Sequence, residues 1–148
     1  MTGERLFRVG ITPDFATEAK GLLDPALVQI LGPVQGVEWE VMPDTAGVAV
    51  ADVLDRYDAV IVLDYHFTAE SFRGVERLAI IARWGVGYDR IDVAAATEAD
   101  VILSITSDGV RRAVAEGAVA LILALAKNLR TMDRNCRAGL WRDRKSVV

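Results

Sequence analysis

Cysteine and histidine are nearly missing from this chain of 148 residues, which contains one of each, Cys136 and His66. A single cysteine excludes an internal disulfide and any metal site built from several cysteines. Positive charge is not in excess either. The net charge of −4 argues against a nucleic-acid partner, because phosphate binding needs a clustered positive surface. What remains is an ordinary globular composition, 52% apolar and 26% charged.

Long apolar runs are missing as well. The first ten residues, MTGERLFRVG, contain no apolar segment of the kind that a secretory signal needs. The longest apolar run covers residues 113–126 and includes Glu116, whereas a membrane-spanning helix needs roughly 18 apolar residues or more. We therefore expect a cytoplasmic protein without a membrane partner, and a buried helix at this run.

The chain does contain a regular alternation of strand-like and helix-like segments. Five strands joined by helices predict an α/β fold with a parallel sheet covered on both faces. Right-handed crossovers and the size of the sheet favour the flavodoxin-like order 2-1-3-4-5. Strands are predicted at 6–11, 37–42, 58–64, 78–84 and 101–105, and helices from Phe15 with an interruption at Pro25, over 50–57, over 67–78 with Thr68 as N-cap, over 92–99 with Asp92 as N-cap, and from about Val110 to Arg130.

Two glycines separated by a valine, Gly85-Val86-Gly87, follow the fourth predicted strand. A dinucleotide fingerprint needs a third glycine three residues later and belongs after the first strand of its unit. Arg90 occupies that position, so we reject a dinucleotide site here. Two interpretations stay open: an anion site in which backbone amides hold a small carboxylate, and a glycine-rich connection without a ligand.

Other polar residues at the predicted carboxyl ends of strands offer weaker candidates. His66 could act in catalysis, but a lone histidine is more often a polar loop residue. Asp64 could be a phospho-acceptor, yet that chemistry needs an acidic pair after strand one and a lysine after strand five, and TPDF and ITSDG supply neither. Cys136 lies in a basic segment and is an ordinary thiol. We assign no catalytic residue and no metal ligand.

The long C-terminal helix has apolar residues on all its sides between 113 and 126, which is unusual for a surface helix. Either it is buried in its own domain, or it packs against a second domain or a second subunit. Gly117 lies in its interior at a cost of about 1 kcal/mol relative to alanine, and it would let another backbone approach closely. We favour the second interpretation.

Residues 78–142 resemble the D-isomer-specific 2-hydroxyacid dehydrogenases. The resemblance is carried by A-R-x-G-V-G-Y-D-x-I-D at 82–92, by R-x-A-V-A-E at 111–116 and the apolar helix that follows, and by R-x-G-x-W at 137–141. It implies a two-domain, homodimeric oxidoreductase that transfers hydride between NAD(P) and a small 2-hydroxy or 2-oxo acid. It also implies that the amides of Val86 and Gly87 hold the substrate carboxylate, with Val86 near the nicotinamide.

The resemblance further implies a division of the chain. Residues 1–109 would form a flavodoxin-like substrate-binding domain, and residues 110–148 a long interdomain and dimerisation helix with the start of a linker to an NAD-binding domain. The family's catalytic arginine, glutamate and histidine belong to that other domain, so His66 is not the family histidine. We expect a truncated portion that is inactive alone. The alternative is a stand-alone flavodoxin-like module that binds a carboxylate or a protein.

Overall fold

The structure is a computed structural model that describes residues 5–18 and 20–140, and the chain divides into two compact units, Met1–Ser107 and Asp108–Val148. The first unit is built on five parallel strands in the order β2-β1-β3-β4-β5, which confirms the predicted flavodoxin-like topology. The strands are β1 (Phe7–Ile11), β2 (Val37–Val41), β3 (Ala59–Val62), β4 (Ile80–Arg83) and β5 (Ile102–Ile105).

Short helices connect these strands. Asp92 caps α4 as predicted, since its carboxylate accepts the backbone N–H of Ala95 at 3.0 Å. Thr68 precedes a single turn of 3-10 helix, and its backbone N–H donates to Ser71 Oγ at 3.0 Å. The helical segments of this unit are α1 (Phe15–Glu18), α2 (Lys20–Ile30), α3 (Ala51–Leu54), the 3-10 turn (Ala69–Phe72) and α4 (Val93–Glu98).

The prediction of a helix over 67–78 is wrong, because only the 3-10 turn forms there. Gly74 adopts a left-handed φ of 72°, which ends helical geometry. The backbone N–H groups of Glu76 and Arg77 then donate to Asp55 Oδ1, each at 2.7 Å, instead of to helical carbonyls. A carboxylate from another segment thus outcompetes the local helix.

Two further boundaries differ from the prediction. Pro25 does not interrupt its helix, since α2 continues on both sides of it at the cost of one backbone hydrogen bond. The C-terminal helix begins earlier and ends earlier than expected, as α5 (Ser107–Ala126). Asn128 then adopts a left-handed φ of 53°, which asparagine tolerates better than most residues, and α6 (Leu129–Arg137) follows.

The core of the first unit lies on both faces of the sheet. Val60 and Val62 of β3 are fully buried in the larger cluster, whereas Ile61 and Leu63 pack against a smaller cluster around Phe15. Consecutive residues of a strand point to opposite faces, so β3 serves both clusters as the buried central strand that its apolar run predicts. β2 lies at an edge and stays largely exposed, again as predicted.

The second unit consists of α5 and α6. Taken by itself, its described part buries no side chain, and Leu121, Ile122 and Leu125 are all more than half exposed. Burial of α5 within its own unit is therefore excluded for these residues. None of the described helices is long and apolar enough to cross a membrane. Residues 141–148, which include Trp141 and the expected start of a linker, lie outside the described part.

The carboxylate of Asp58 accepts hydrogen bonds from three arginines near the amino-terminal ends of the strands. Its Oδ2 accepts the backbone N–H of Arg8 at 2.7 Å and Nη2 of Arg77 at 2.6 Å, and its Oδ1 accepts Nη2 of Arg5 at 3.1 Å. Partial burial acts to raise the pKa of this carboxyl. The hydrogen bonds from Arg77 and Arg8 outweigh that effect and leave the pKa below its usual value.

Replacing this carboxylate should therefore destabilise the fold in a pH-dependent way. We expect Asp58→Asn to lower the free energy of unfolding by about 1–3 kcal/mol at neutral pH. The reason is that Arg5, Arg8 and Arg77 would no longer donate to a charged carboxylate. A lowered folded pKa means that the stabilisation is complete above the unfolded pKa of about 3.9 and disappears as the pH falls through the folded value. Urea titrations should thus show the deficit constant down to about pH 5 and shrinking below about pH 4.

Glu38→Gln is the matched control. Glu38 is an exposed carboxylate on β2 that makes no hydrogen bond within the described residues, so its loss should change stability little at any pH. Equal stability of Asp58→Asn and the unaltered chain at neutral pH would show that Asp58 does not tie these strands together.

Candidate functional site

A cleft of about 150 Å³ opens at the carboxyl ends of β3 and β4, within the first unit. Parallel α/β sheets bind their ligands at this end of the strands. Its lining combines the end of β3 and the loop after it with the end of β4 and the turn after it. The residues are Val62, Leu63, Asp64, Tyr65, Arg83, Gly87, Tyr88, Asp89, Arg90 and Ile91.

The turn after β4 is anchored to both neighbouring strands. The N–H of Trp84 donates to Val62 O at 2.9 Å, and the N–H of Thr106 donates to Gly85 O at 2.8 Å. A trans peptide places its N–H opposite its C=O. Since Gly85 O accepts from Thr106, the N–H of Val86 must point away from Thr106.

The side chain of Arg83 folds back onto this turn and binds two of its backbone carbonyls. Its Nε donates to Gly87 O at 2.8 Å, and its Nη1 donates to Trp84 O. One guanidinium therefore holds two carbonyls on opposite sides of Gly85. The backbone carbonyl of Arg83 in turn accepts the hydroxyl of Thr106 at 2.9 Å.

The two glycines of the turn play different roles. Gly85 has a φ of 141°, and a Cβ there would lie 2.5 Å from Arg83 Nη1, so the local fold requires glycine. Gly87 has no positive φ, and the nearest contact of an added Cβ would be Asp89 Oδ2 at 3.9 Å. The described residues thus leave open space at Gly87 that a side chain could fill.

Two backbone donors of the turn are free. Neither Val86 N–H nor Gly87 N–H donates to any acceptor in the described part of the chain. Both residues are exposed. Adjacent unpaired amides beside a guanidinium form a donor set that suits an anion.

Asp64, His66 and Arg90 form a second polar group beside the cleft. Arg90 Nε lies 3.2 Å from Asp64 Oδ1, and Arg90 Nη1 lies 3.1 Å from His66 Nε2. Arginine only donates, so Nε2 is the acceptor in this contact. Here Arg90 occupies the Nε2 lone pair, and His66 joins two loops as a polar structural residue. Cys136 is exposed on α6, in the other unit.

Tyr65 lines the cleft but its hydroxyl is committed elsewhere. It donates to Asp44 Oδ1 at 2.7 Å. Burial, together with this hydrogen bond to a carboxylate, raises the pKa of Tyr65. The same bond, with the N–H of Ala46, lowers the pKa of Asp44. The pair therefore fixes the loop before α3.

The arginines of this cleft were missed in the sequence analysis. Arg83 was used there only as a strand residue and as part of the family motif, and Arg90 only as the residue in place of a third glycine. A cation next to a glycine-rich turn was the available signal, but nothing in the sequence shows that its guanidinium folds back onto the turn's carbonyls. Among the described residues, no three histidine, cysteine or acidic side chains are arranged to hold a metal ion.

The fold and the cleft define an α/β unit of flavodoxin-like topology with free amides and a guanidinium at its carboxyl edge. The family model for the catalytic domain of D-isomer specific 2-hydroxyacid dehydrogenases matches residues 17–138, and the chain belongs to this family. The resemblance seen in the sequence is thereby confirmed.

Relatives and solved structures agree with this assignment. A glyoxylate reductase of Thermococcus onnurineus is 34% identical over 107 residues, which are 72% of this chain and 32% of the relative. A D-3-phosphoglycerate dehydrogenase of Archaeoglobus fulgidus is 32% identical over 111 residues, 74% of this chain and 21% of the relative. The chain thus spans about a third or less of these relatives.

The fold is shared with larger enzymes of known structure. A D-lactate dehydrogenase of Aquifex aeolicus, complexed with NAD and lactic acid, aligns with 95% of this chain and 40% of its own at a TM-score of 0.67 and 18% identity. An NAD-dependent formate dehydrogenase of Staphylococcus aureus aligns with 92% of this chain and 43% of its own at a TM-score of 0.65 and 23% identity. At such identities these likenesses show the fold alone.

Proposed function

We propose that this chain is the substrate-binding part of an NAD(P)-dependent 2-hydroxyacid dehydrogenase, in which the amides of Val86 and Gly87 bind the carboxylate of a small 2-hydroxy or 2-oxo acid. Family membership supports the class of reaction. The observation that supports this site is the open space at Gly87. The fold itself does not require glycine at this position, whereas a ligand that contacts the backbone there requires a residue without a side chain.

The expected affinity of the turn alone is low. Two charge-assisted hydrogen bonds contribute about 1.5–3 kcal/mol each. Association and ordering cost several kcal/mol, so the dissociation constant should be on the order of 1 mM. Tighter binding requires additional groups around the ligand.

The described residues do not fit the pyrophosphate of a dinucleotide. Arg83 Nη1 occupies the space over Gly85, and Arg90 stands where a third glycine would be needed. Among the described residues, we place only the exposed side chain of Val86 beside the nicotinamide.

Small carboxylates should perturb the turn selectively. Titrated into the labelled chain, millimolar lactate or glyoxylate should shift the amide NMR signals of residues 85–89, and chloride at equal ionic strength should shift them less. Gly87→Val should abolish the response, because the added side chain would fill the space through which the carboxylate reaches the amides.

Gly117→Val provides the matched control for this substitution. A Cβ at Gly117 meets nothing within 4 Å, and the residue lies on α5, so the response of the turn should persist. Shifts that centre on Asp64 and His66, or no shifts at millimolar ligand, would refute the carboxylate site.

Dehydrogenase turnover is not expected from this chain alone. Hydride transfer needs a bound nicotinamide and a proton donor or acceptor near the substrate oxygen, and the described residues provide neither. Purified chain mixed with NADH and glyoxylate should leave the NADH absorbance unchanged. NADH oxidation that is lost in His66→Ala would show that the chain is an enzyme by itself.

We also propose that α5 mediates homodimerisation. Its apolar side chains, including Leu121 at 68% and Leu125 at 82% exposure, form an apolar surface of the kind that marks an interface. A second copy of the chain presents the same surface, as the two halves of a symmetric dimer require.

Self-association should therefore depend on α5. Light scattering at micromolar concentration should report a dimer, and Leu121→Lys should shift it to monomer because a buried lysine would lack a partner. Val28→Lys, at a similarly exposed apolar position of α2 (66%), should leave the dimer intact. A monomeric unaltered chain that binds no hydrophobic dye would contradict the proposal.

A further inference from the structure

We propose that Arg83 is the positioning residue of the carboxylate site and also its counter-charge. The guanidinium fixes the two peptides that flank the amides of Val86 and Gly87, through Trp84 O and Gly87 O, and it supplies positive charge beside those amides. This inference rests on the proposed function, since it concerns the same turn.

The positioning role follows from where the turn's carbonyls are held. Arg83 binds Trp84 O and Gly87 O, while Thr106 N–H binds Gly85 O. Three of the four carbonyls from Trp84 to Gly87 thus have partners in the protein. Because each peptide is planar and trans, the bond from Thr106 to Gly85 O sets the direction of the Val86 N–H. The two bonds from Arg83 fix the peptides on either side, Trp84–Gly85 and Gly87–Tyr88, and so hold the Val86–Gly87 segment between them. Without Arg83, two of the three restraints disappear.

The role as counter-charge follows from the absence of an acidic partner. Among the described residues, no carboxylate forms an ion pair with Arg83, although Arg77 pairs with Asp58 and Arg90 with Asp64. The Arg83 residue is partly buried and lines the cleft. Its charge is met only by backbone carbonyls, which satisfy hydrogen bonds but do not neutralise a cation.

A nearby acid makes such a cation necessary. Asp89 Oδ2 lies 3.9 Å from where a Cβ on Gly87 would be, and Asp89 lines the same cleft. A bound carboxylate would therefore approach an existing negative charge. The guanidinium that binds Gly87 O offsets that repulsion, so a carboxylate is accepted where the amides alone would favour a neutral group.

Three variants separate the two roles. Arg83→Met removes both the charge and the donors, and Arg83→Lys keeps the charge but cannot span two carbonyls. Arg56→Met is the control: Arg56 is exposed just before β3, at the end of the strand opposite the cleft, and makes no ion pair within the described residues. This variant therefore removes the same charge away from the cleft. Each variant is titrated with lactate and with its neutral amide, lactamide, at low and high salt, and the shifts of residues 85–89 are followed.

We expect Arg83→Met to weaken lactate binding about tenfold or more and to flatten its salt dependence, as loss of the counter-charge requires. The lactate affinity of Arg83→Lys should lie between those of Arg83→Met and the unaltered chain, and its binding should still depend on salt. Lactamide should bind all forms similarly weakly, and Arg56→Met should bind lactate normally. These readouts respond to the charge itself, which a purely structural role would not do.

The outcomes distinguish this inference from the proposed function. No lactate-dependent shift in the unaltered chain would overturn both. Lactate binding by the unaltered chain together with unchanged affinity in Arg83→Met would overturn the role of Arg83 alone. If Arg83→Met does not fold, Arg83→Lys decides: normal affinity in that variant would overturn the positioning role.

Discussion

The parallel pairing of β3 with β4 is the constraint on which the site depends. The pairing of Val62 with Arg83 brings both strands to the same edge in register, and the bond from Trp84 N–H to Val62 O extends the pairing into the turn. The loop after β3 and the turn after β4 therefore emerge side by side. Their side chains enclose one cleft because the sheet leaves them no other arrangement.

Arginines serve opposite purposes at the two ends of this sheet. At the amino ends, Arg5 and Arg77 meet the carboxylate of Asp58, and their charges stabilise the fold. At the carboxyl ends, Arg90 pairs with Asp64, whereas Arg83 binds carbonyls and forms no ion pair within the described residues. The same side chain thus stabilises the fold where an acid faces it, and in our proposal it binds a ligand where none does.

Much of the fold followed from local patterns in the sequence. The strand at 58–64 and the N-cap at Asp92 were both predicted, because the apolar run of a strand and the capping residue of a helix act within a few residues. The helix over 67–78 failed because Asp55, from a distant segment, binds the backbone N–H groups of Glu76 and Arg77. Such a contact has no local signature.

The site was predictable only to the level of the turn. The motif Gly85-Val86-Gly87 indicated a backbone that another group can approach closely. In the structure, Gly85 is required by the local fold, whereas a side chain at Gly87 would meet open space. That distinction depends on the path of the Arg83 side chain, which a sequence does not specify. Likewise, the neighbouring position of Arg90 and His66 arises from two loops that meet only in the folded unit.

A crystal structure of this chain soaked with lactate tests the central claim most directly. We predict a carboxylate whose oxygens lie about 2.7–3.1 Å from the amide nitrogens of Val86 and Gly87, on the side of the turn that faces the cleft. Lactate bound elsewhere, with those two amides still facing only solvent, would contradict the assignment of this turn as the carboxylate site.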